Sequence, residues 1–254
     1  MKIVFLTSQS ETSIIVFNSF KKRFKICAVI QEESPSKFLL IKRRIKKLGW
    51  FKTFGQLLFM SMIPPLLKNF SKKRLKEIYQ EFHFDNTPIE HEKYHKVDSV
   101  NEKETMELLI NLNPDLIFVN GTRIISEDIL SSINGTFVNI HVGITPKFRG
   151  VHGGYWALAS GEKDLFGVTV HLVNKGIDTG EILYQAFLKA SKKDNFSTYP
   201  FLQTAAAIDL LSKVVEDKRN GKLKPYNVKE LPSKLWYHPT LFEYVYNGIK
   251  LGVF

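Results

Sequence analysis

Two short apolar runs near the start of the chain, with one helical stretch between them, constrain the fold more than any other feature. The runs are Lys2–Leu6 and Lys25–Ile30, and the stretch between them extends from about Glu11 to Phe20. Strand, helix and strand in this order is the pattern of a β-α-β unit, in which the two strands lie parallel. We therefore predict an α/β protein built around a parallel sheet.

The pattern in the later part of the chain predicts further strands and a change from a parallel to a mixed sheet. Further strands are predicted at Asp115–Val119, Thr136–His141, Gly167–Leu172 and Ile182–Leu188, and further helices at Glu102–Leu112, Gly153–Ser160 and Ser197–Arg219. The last two strands make the second half of the sheet mixed rather than purely parallel. We expect a core over residues 1–190 with a helical insertion at about 37–82, and a C-terminal helix and tail over 191–254 packed on that core.

Composition excludes several classes of protein. Hydrophobic residues make up 44% of the chain and aromatic residues 13%, which excludes disordered and collagen-like proteins. The single cysteine, Cys27, cannot form an internal disulfide and lies in an apolar run. No signal peptide is recognisable, and no segment reaches the roughly 18 consecutive apolar residues of a membrane span. We expect a cytoplasmic protein.

Positive charge is concentrated in one segment. The net charge is +11, yet Lys37–Lys76 contains twelve Lys or Arg and no Asp or Glu, which leaves the rest of the chain at −1 (24 basic against 25 acidic residues). Its pattern predicts one or two amphipathic helices broken at Pro64-Pro65. The segment is interpreted as a solvated helical elaboration, as a peripheral contact with an anionic membrane at its inner face, or as an RNA-binding surface. RNA ranks last, because no nucleic-acid-binding module is recognisable.

Three polar residues form a candidate catalytic site. Asn139 and His141 stand two apart at the C-terminal end of a predicted strand, where open α/β sheets bind ligands, so both side chains lie on one face. Asp178 lies in the loop Gly176–Gly180. An amide stabilises a developing oxyanion by ~3–4 kcal/mol, and an imidazole with a carboxylate moves protons. As bare spacing, a chance Asn-x-His pair and a turn aspartate explain the same residues.

A longer stretch resembles a known family. Asn139–Gly150, Gly167–His171 and Gly176–Gly180 are similar, in order and spacing, to the folate-dependent formyltransferases. The resemblance implies a Rossmann-like core, Asn139, His141 and Asp178 as the catalytic trio, and 10-formyltetrahydrofolate as formyl donor.

The resemblance also implies a site for the donor. Gly121–Ile125 resembles the family's loop whose backbone groups bind the pterin, which assigns cofactor binding to Arg123, Ile124 and Ile125. Gly176 and Ile177, in the Asp178 loop, would complete that pocket.

Departures from the family pattern narrow the acceptor. The segment Thr7–Ser13 has no glycine-rich phosphate loop, which disfavours a glycinamide ribonucleotide. About seventy residues follow the last predicted strand, which disfavours a full tRNA-reading domain. By elimination we expect a small amine, namely a nucleotide-linked amino sugar of surface polysaccharide synthesis. Candidate acceptor contacts are Thr145, Arg149, His152 and Trp236.

Alternatives to this function stay open. They are formyl transfer to another amine such as methionyl-tRNA, a peptide or a metabolite, hydrolysis of the folate donor, and a non-catalytic basic protein that binds RNA or membranes. His171 lies either near the site or in the core as a hydrogen-bonded histidine. His83, His91 and His95 are too irregularly spaced for a metal site, so we expect no metal. Self-association as a homodimer is also left open.

Overall fold

A seven-stranded sheet forms the centre of the fold in a computed structural model, which describes residues 1–228 and 230–254. Within that part of the chain the strands are β1 (Ile3–Thr7), β2 (Ala28–Glu32), β3 (Tyr94–Val97), β4 (Leu116–Asn120), β5 (Thr136–His141), β6 (Arg149–Gly150), β7 (Gly167–Leu172), β8 (Ile182–Phe187) and β9 (Leu235–Trp236). The helices are α1 (Glu11–Lys21), α2 (Lys37–Leu48), α3 (Trp50–Phe70), α4 (Lys72–Glu81), α5 (Lys103–Leu112), α6 (Glu127–Ser132), α7 (Gly153–Ala159), α8 (Tyr199–Arg219) and α9 (Leu241–Leu251).

The pairing of the strands confirms the predicted α/β, Rossmann-like class with a mixed sheet. The order is β3-β2-β1-β4-β5-β7-β8, in which the first five strands run parallel and the last two antiparallel. The order reverses between β1 and β4, and open α/β sheets bind ligands at the carboxyl ends of the strands beside such a reversal. The C-terminal end of β5, with Asn139 and His141, lies next to it.

The sheet is buried on both faces, which explains why its central strands are continuous apolar runs. All five residues of β1 are buried. On one face Phe5 packs against Phe17, Phe20 and Phe118 at ring-centroid distances of 5.3–5.7 Å. Aromatic pairs at these separations add to the free energy of burial and hold α1 against the sheet.

The insertion consists of three helices, and the prediction that Pro64-Pro65 breaks it was wrong. Helix α3 continues through both prolines to Phe70. Each proline removes the donor to the carbonyl four residues earlier, which is at Met60 or Ser61. Both residues are exposed, so water can satisfy those carbonyls and the helix persists.

The insertion packs on the C-terminal part of the chain through α3. The fully buried Phe59 lies with its ring centroid 4.9 Å from that of Phe196 and 5.1 Å from that of Tyr244 in α9. One turn earlier, Gly55 faces Thr240, whose Cβ would lie 2.9 Å from a Cβ at position 55. A glycine is needed there for the two helices to approach. No helix in residues 1–228 or 230–254 has the length and apolarity required to cross a membrane.

An ion pair fastens α4 to the segment before α8. Arg74 Nε lies 2.7 Å from Asp194 Oδ1, and the Asp194 side chain is 1% exposed. Burial by itself would raise the pKa of Asp194, but hydrogen bonds from Arg74 and Ser191 lower it below its ordinary value. The carboxylate is therefore charged and depends on its partners.

We expect Arg74→Ala to destabilise the protein by about 3 kcal/mol, because it leaves the buried Asp194 charge without its cation. Urea unfolding at neutral pH measures the loss. Lys73→Ala is the matched control, since Lys73 is an exposed cation of the same helix. Equal losses in the two variants would show that the Arg74–Asp194 pair does not hold the insertion.

Candidate active site

The carboxylate of Asp178 lies at the centre of the candidate site. Its Oδ2 accepts a hydrogen bond from the backbone N–H of Gly150 at 2.8 Å and lies 3.4 Å from His141 Nδ1. Its Oδ1 lies 3.4 Å from Asn139 Nδ2 and 3.5 Å from His171 Nε2. The structure therefore brings the three residues predicted as a trio together, and adds His171 to them.

The loop that carries Asp178 has a backbone conformation and a close packing that only certain residues can adopt. Asp178 itself has φ 50°, in the left-handed region. Gly180 packs so closely on β7 that a Cβ there would lie 1.6 Å from the carbonyl oxygen of Leu172. The carbonyl of Ile177 accepts a hydrogen bond from Arg149 Nη1 at 2.9 Å. These contacts hold the carboxylate in position before any ligand binds.

The histidines have different hydrogen-bond partners and so different roles. His141 Nε2 lies 2.5 Å from the carbonyl oxygen of Phe148, a contact that requires a proton on Nε2, and its Nδ1 faces Asp178. His171 is paired across the sheet with Asn139, and its Nδ1 lies 2.7 Å from the carbonyl oxygen of Leu172. With a proton on Nδ1, its Nε2 accepts from Asn139 Nδ2 at 3.1 Å. His171 therefore orients the Asn139 amide.

Asp178 is ionised in this environment. Burial by itself would raise its pKa, but the nearby His141 and the N–H of Gly150 hold the pKa well below its ordinary range. The Asp178 side chain is only 13% exposed. The site therefore contains a fixed negative charge that these two neighbouring groups stabilise.

A cavity of about 580 Å³ opens beside Asn139 and Asp178, a volume typical of small-molecule sites. Other residues predicted from the sequence also line it: Arg123, Ile124, Ile125, Gly176, Ile177 and Trp236. Val119, Ile125 and Val173 give part of it an apolar surface. The arrangement of an amide donor, a histidine-paired carboxylate and an apolar pocket suits transfer of an acyl group to a nucleophile.

Comparison with known proteins identifies the family. A model of the formyl transferase family, described as "Formyl transferase", matches residues 68–211, which is more than half of the chain. The chain belongs to this family.

Relatives of this chain include longer enzymes. It is 31% identical over 131 residues to the methionyl-tRNA formyltransferase of Caldanaerobacter subterraneus subsp. tengcongensis, a match that covers 51% of this chain and 42% of the relative. The chain thus spans less than half the length of that curated relative.

Solved structures share the fold of this chain. Phosphoribosylglycinamide formyltransferase from Streptococcus pneumoniae is 21% identical with a TM-score of 0.56, covering 86% of this chain and 99% of the other. A 4-N formyltransferase from Francisella tularensis is 16% identical with a TM-score of 0.54, covering 96% of this chain and 78% of the other. At such identities the likeness concerns the fold alone.

Several groups of the loop that carries Arg123 already form hydrogen bonds or an ion pair within the chain. The guanidinium of Arg123 pairs with Glu32 at 2.5 Å and donates to the carbonyls of Glu33 and Asp98. Its backbone N–H donates to Glu32 Oε2 at 2.8 Å. The carbonyl of Ile124 accepts from Asn101 Nδ2 at 2.8 Å. The Arg123 side chain therefore shapes the loop.

The residues predicted to contact an acceptor lie in different places. Of the four, only Trp236 lines the cavity, and its ring already stacks on Trp156 at 4.6 Å. Thr145 is buried and its backbone N–H donates to Thr169. Arg149 holds the Asp178 loop. His152 lies at the start of α7.

His152 forms a neutral pair with a histidine of the tail. Its Nε2 lies 2.9 Å from His238 Nδ1. Burial, then the neighbouring His238, lowers the pKa of His152 to about 3, and burial, then Arg44, lowers the pKa of His238 to about 4. Both rings are therefore neutral at pH 7, and His152 supports the cavity from behind His238.

Several residues that line the cavity were not among the predicted site residues, including two arginines, a tyrosine and a histidine. Arg43 and Arg44 come from the insertion, and Tyr237 and His238 from the tail. The arginines were recognised only as part of a charge run, since nothing in their spacing indicates which way α2 faces. The clustered aromatic residues of the tail were the only available signal for the other two.

We expect the stability contributed by the Asp178 charge to depend on pH. Since its folded-state pKa is depressed, the contribution is present above the unfolded-state value near 4 and is lost as pH falls through the folded-state value. The free energy of unfolding of the wild type should exceed that of Asp178→Asn by about 2 kcal/mol at neutral pH. The difference should shrink below about pH 4.

Urea unfolding of both proteins between pH 7 and pH 3 checks this expectation. Val151→Ala, an uncharged change in the same cavity, should differ from the wild type by the same amount at every pH. A difference for Asp178→Asn that stays constant down to pH 3 would contradict a depressed pKa.

Proposed function

We propose that this chain is an N-formyltransferase that moves the formyl group of 10-formyltetrahydrofolate to the amine of a small acceptor. The observation that carries the proposal is the meeting of Asn139, His141 and Asp178, of which Asn139 and Asp178 line a cavity of about 580 Å³. Membership of the formyl transferase family supports it.

The part of the cavity near the Arg123 loop suits a flat heterocycle such as a pterin, whose ring faces pack on apolar side chains while its edge nitrogens and oxygen form hydrogen bonds. Val119, Ile125 and Val173 provide apolar contacts there, and the Asp178 loop bounds the same space. The residues that would hold the donor are Ile124 and Ile125 with Gly176 and Ile177, chiefly through their backbone. A bound 10-formyltetrahydrofolate would supply the formyl carbon that the acceptor amine attacks.

Asn139 is the proposed oxyanion donor. One hydrogen of its amide nitrogen is directed to His171 Nε2 at 3.1 Å, while the contact with Asp178 Oδ1 is long, at 3.4 Å. The second hydrogen is therefore available to an oxygen that gains charge as the amine adds to the formyl carbon. A preoriented donor needs no reorganisation at that moment, which is why such donors accelerate reactions.

Asp178 and His141 are proposed to manage the proton that the amine loses. A carboxylate with a depressed pKa is a weak base, so Asp178 suits an electrostatic role better than that of a final proton acceptor. It would stabilise the positive charge on the attacking nitrogen and direct the departing proton through water toward the folate nitrogen, which leaves as its bond to the formyl carbon breaks. His141, whose Nε2 is held by Phe148 and whose Nδ1 faces Asp178, would keep the carboxylate in place for this role.

The proposed acceptor is a nucleotide-linked amino sugar of surface polysaccharide synthesis. A small acceptor suits a cavity of this volume. Methionyl-tRNA is the competing acceptor, because a methionyl-tRNA formyltransferase is 31% identical over 131 residues and the insertion is strongly basic.

Purified protein with 10-formyltetrahydrofolate and a panel of nucleotide-linked amino sugars, with methionyl-tRNA included, tests the proposed activity. We expect Asn139→Ala and Asp178→Asn to lower kcat by about 10²–10³ while folate binding persists. Asp164→Asn, an exposed carboxylate outside the cavity lining, is the matched control and should keep the wild-type rate.

Three outcomes count against the proposal. If no tetrahydrofolate is produced with any amine, the proposed transferase activity is rejected. Formate released without any amine would point to hydrolysis of the donor. Wild-type turnover in Asp178→Asn would remove that residue from the mechanism.

We also propose that the insertion holds this cytoplasmic enzyme peripherally on an anionic membrane surface. Large apolar side chains are exposed on two adjacent elements: Phe51 is 90% exposed and Phe70 79% in α3, and Phe242 77% and Ile249 81% in α9. The surrounding segment Lys37–Lys76 contains twelve cations and no acidic residue. Exposed aromatic residues beside basic ones are typical of proteins that lie on anionic lipid.

Flotation with vesicles of anionic lipid, compared with vesicles of zwitterionic lipid alone, measures this contact. We expect binding to the anionic vesicles only, weakened severalfold in Phe51→Ser because an inserted ring is lost. Phe187→Ser removes a phenylalanine that is 58% exposed on β8 and serves as control. Binding that is equal for both kinds of vesicle, or equally weak in both variants, would contradict the proposal.

A further inference from the structure

Positive charge gathers at one end of the catalytic cavity. Arg43 and Arg44 of α2 line it beside Tyr237. The ammonium of Lys47 lies 5.3 Å from the centroid of the Tyr237 ring, and that of Lys234 lies 3.6 Å from the centroid of the Trp236 ring. Both rings belong to adjacent residues that line the cavity. Four cations therefore surround the tail segment 235–238.

None of these four cations has an acidic partner among the residues that the structure describes. The other end of the cavity differs, because the guanidinium of Arg123 is paired with Glu32 at 2.5 Å. The two ends are thus electrostatically distinct. One is internally neutralised, and the other has cations available to a ligand.

Arg44 is the most informative member of this group. Its side chain is partly buried, and burial lowers the pKa of its guanidinium. Its only hydrogen-bond partner in the described chain is the sulfur of Met60, 3.2 Å from Nη1. A partly desolvated cation without a carboxylate costs free energy that an arriving anion recovers. His238, close enough for Arg44 to affect its titration, is neutral at pH 7 and does not neutralise it.

We infer that Arg43 and Arg44 form an anion subsite of the catalytic cavity, with Lys47 and Lys234 adding positive charge beside the tail segment that lines it. The inference rests on the proposed function and adds to it the residues that would hold the phosphate or diphosphate of the acceptor. Guanidinium groups bind phosphate oxygens in pairs of parallel hydrogen bonds, and two adjacent arginines at a cavity mouth suit a diphosphate. The glutamate tail of a folate also supplies multiple negative charges, so the test separates the two sources.

The first arm measures anion binding without turnover. Inorganic pyrophosphate and uridine diphosphate are titrated into the wild type and into the double variant Arg43→Ala, Arg44→Ala by calorimetry. In the double variant we expect the Kd of both probes to be about tenfold or more above that of the wild type, because charge-assisted hydrogen bonds are lost. Arg43→Lys with Arg44→Lys keeps the charge without the planar fork and should give a smaller rise. Being less disruptive, it also tests the inference if the alanine variant folds poorly.

The matched control removes equal charge from the same helix. Lys42→Ala with Lys46→Ala takes two cations from α2 that do not line the cavity. We expect the Kd of both probes to change less than about twofold, since exposed charges are screened by salt. Equal weakening in the control and the arginine variant would overturn the subsite, as would a wild type that binds neither probe.

The second arm compares monoglutamyl and polyglutamyl tetrahydrofolate with the same variants. Loss of polyglutamyl affinity alone, with the Kd of pyrophosphate unchanged, would overturn the assignment to the acceptor and give the anion subsite to the folate tail. Weakened pyrophosphate binding with unchanged folate binding supports the acceptor assignment. Because both arms measure binding, absence of formyl transfer to every amine would reject the proposed function and leave the subsite standing.

Discussion

The buried carboxylate of Asp178 is the interaction on which the candidate site depends. It connects the loop before β8 to β5, β6 and β7, through His141, Gly150 and the contact with His171. Burial opposes its charge, but the neighbouring His141 and the N–H of Gly150 outweigh that effect, so the carboxylate is ionised. His171 also orients the Asn139 amide. Chemistry and local architecture are therefore supported by one set of contacts.

The far end of the cavity is built by parts of the chain distant from that centre. Helix α3 packs through Phe59 on Tyr244 of α9, and Gln56 Nε2 donates to the carbonyl of His238 at 2.7 Å. These contacts join the insertion to the tail segment that lines the cavity. The sheet carries Asn139 and His141, while the insertion and the tail border the space beside them.

The cations that line the cavity differ in whether they have an acidic partner. Arg123 has its carboxylate partner within the fold, whereas Arg43 and Arg44 have none among the described residues. A total of +11 describes the chain, but the sum does not distinguish a cation that supports a loop from one that faces a ligand. That distinction depends on whether an acidic partner lies beside each cation in the folded chain.

Much of the fold follows from local pattern. Strands β5 and β7 were predicted with their observed bounds, because both are largely apolar runs of the kind found in a sheet that is buried on both faces. Strand β3 was missed, since it lies at the sheet edge and only Val97 of its four residues is buried. The break at Pro64-Pro65 was wrong because solvent can satisfy the carbonyls that the prolines leave free. Burial and exposure decide such cases, and neither is visible in a short stretch of sequence.

The sequence by itself determined the α/β class and the candidate trio Asn139, His141 and Asp178, because strand periodicity and contiguous motifs are local properties. Only the tertiary structure decided that His171 orients Asn139 and that Arg43 and Arg44 face the cavity beside Tyr237. The physical reason is that a helix of mixed basic and apolar residues is compatible with several orientations. Packing of α3 on α9, between segments some 180 positions apart, selects one of them.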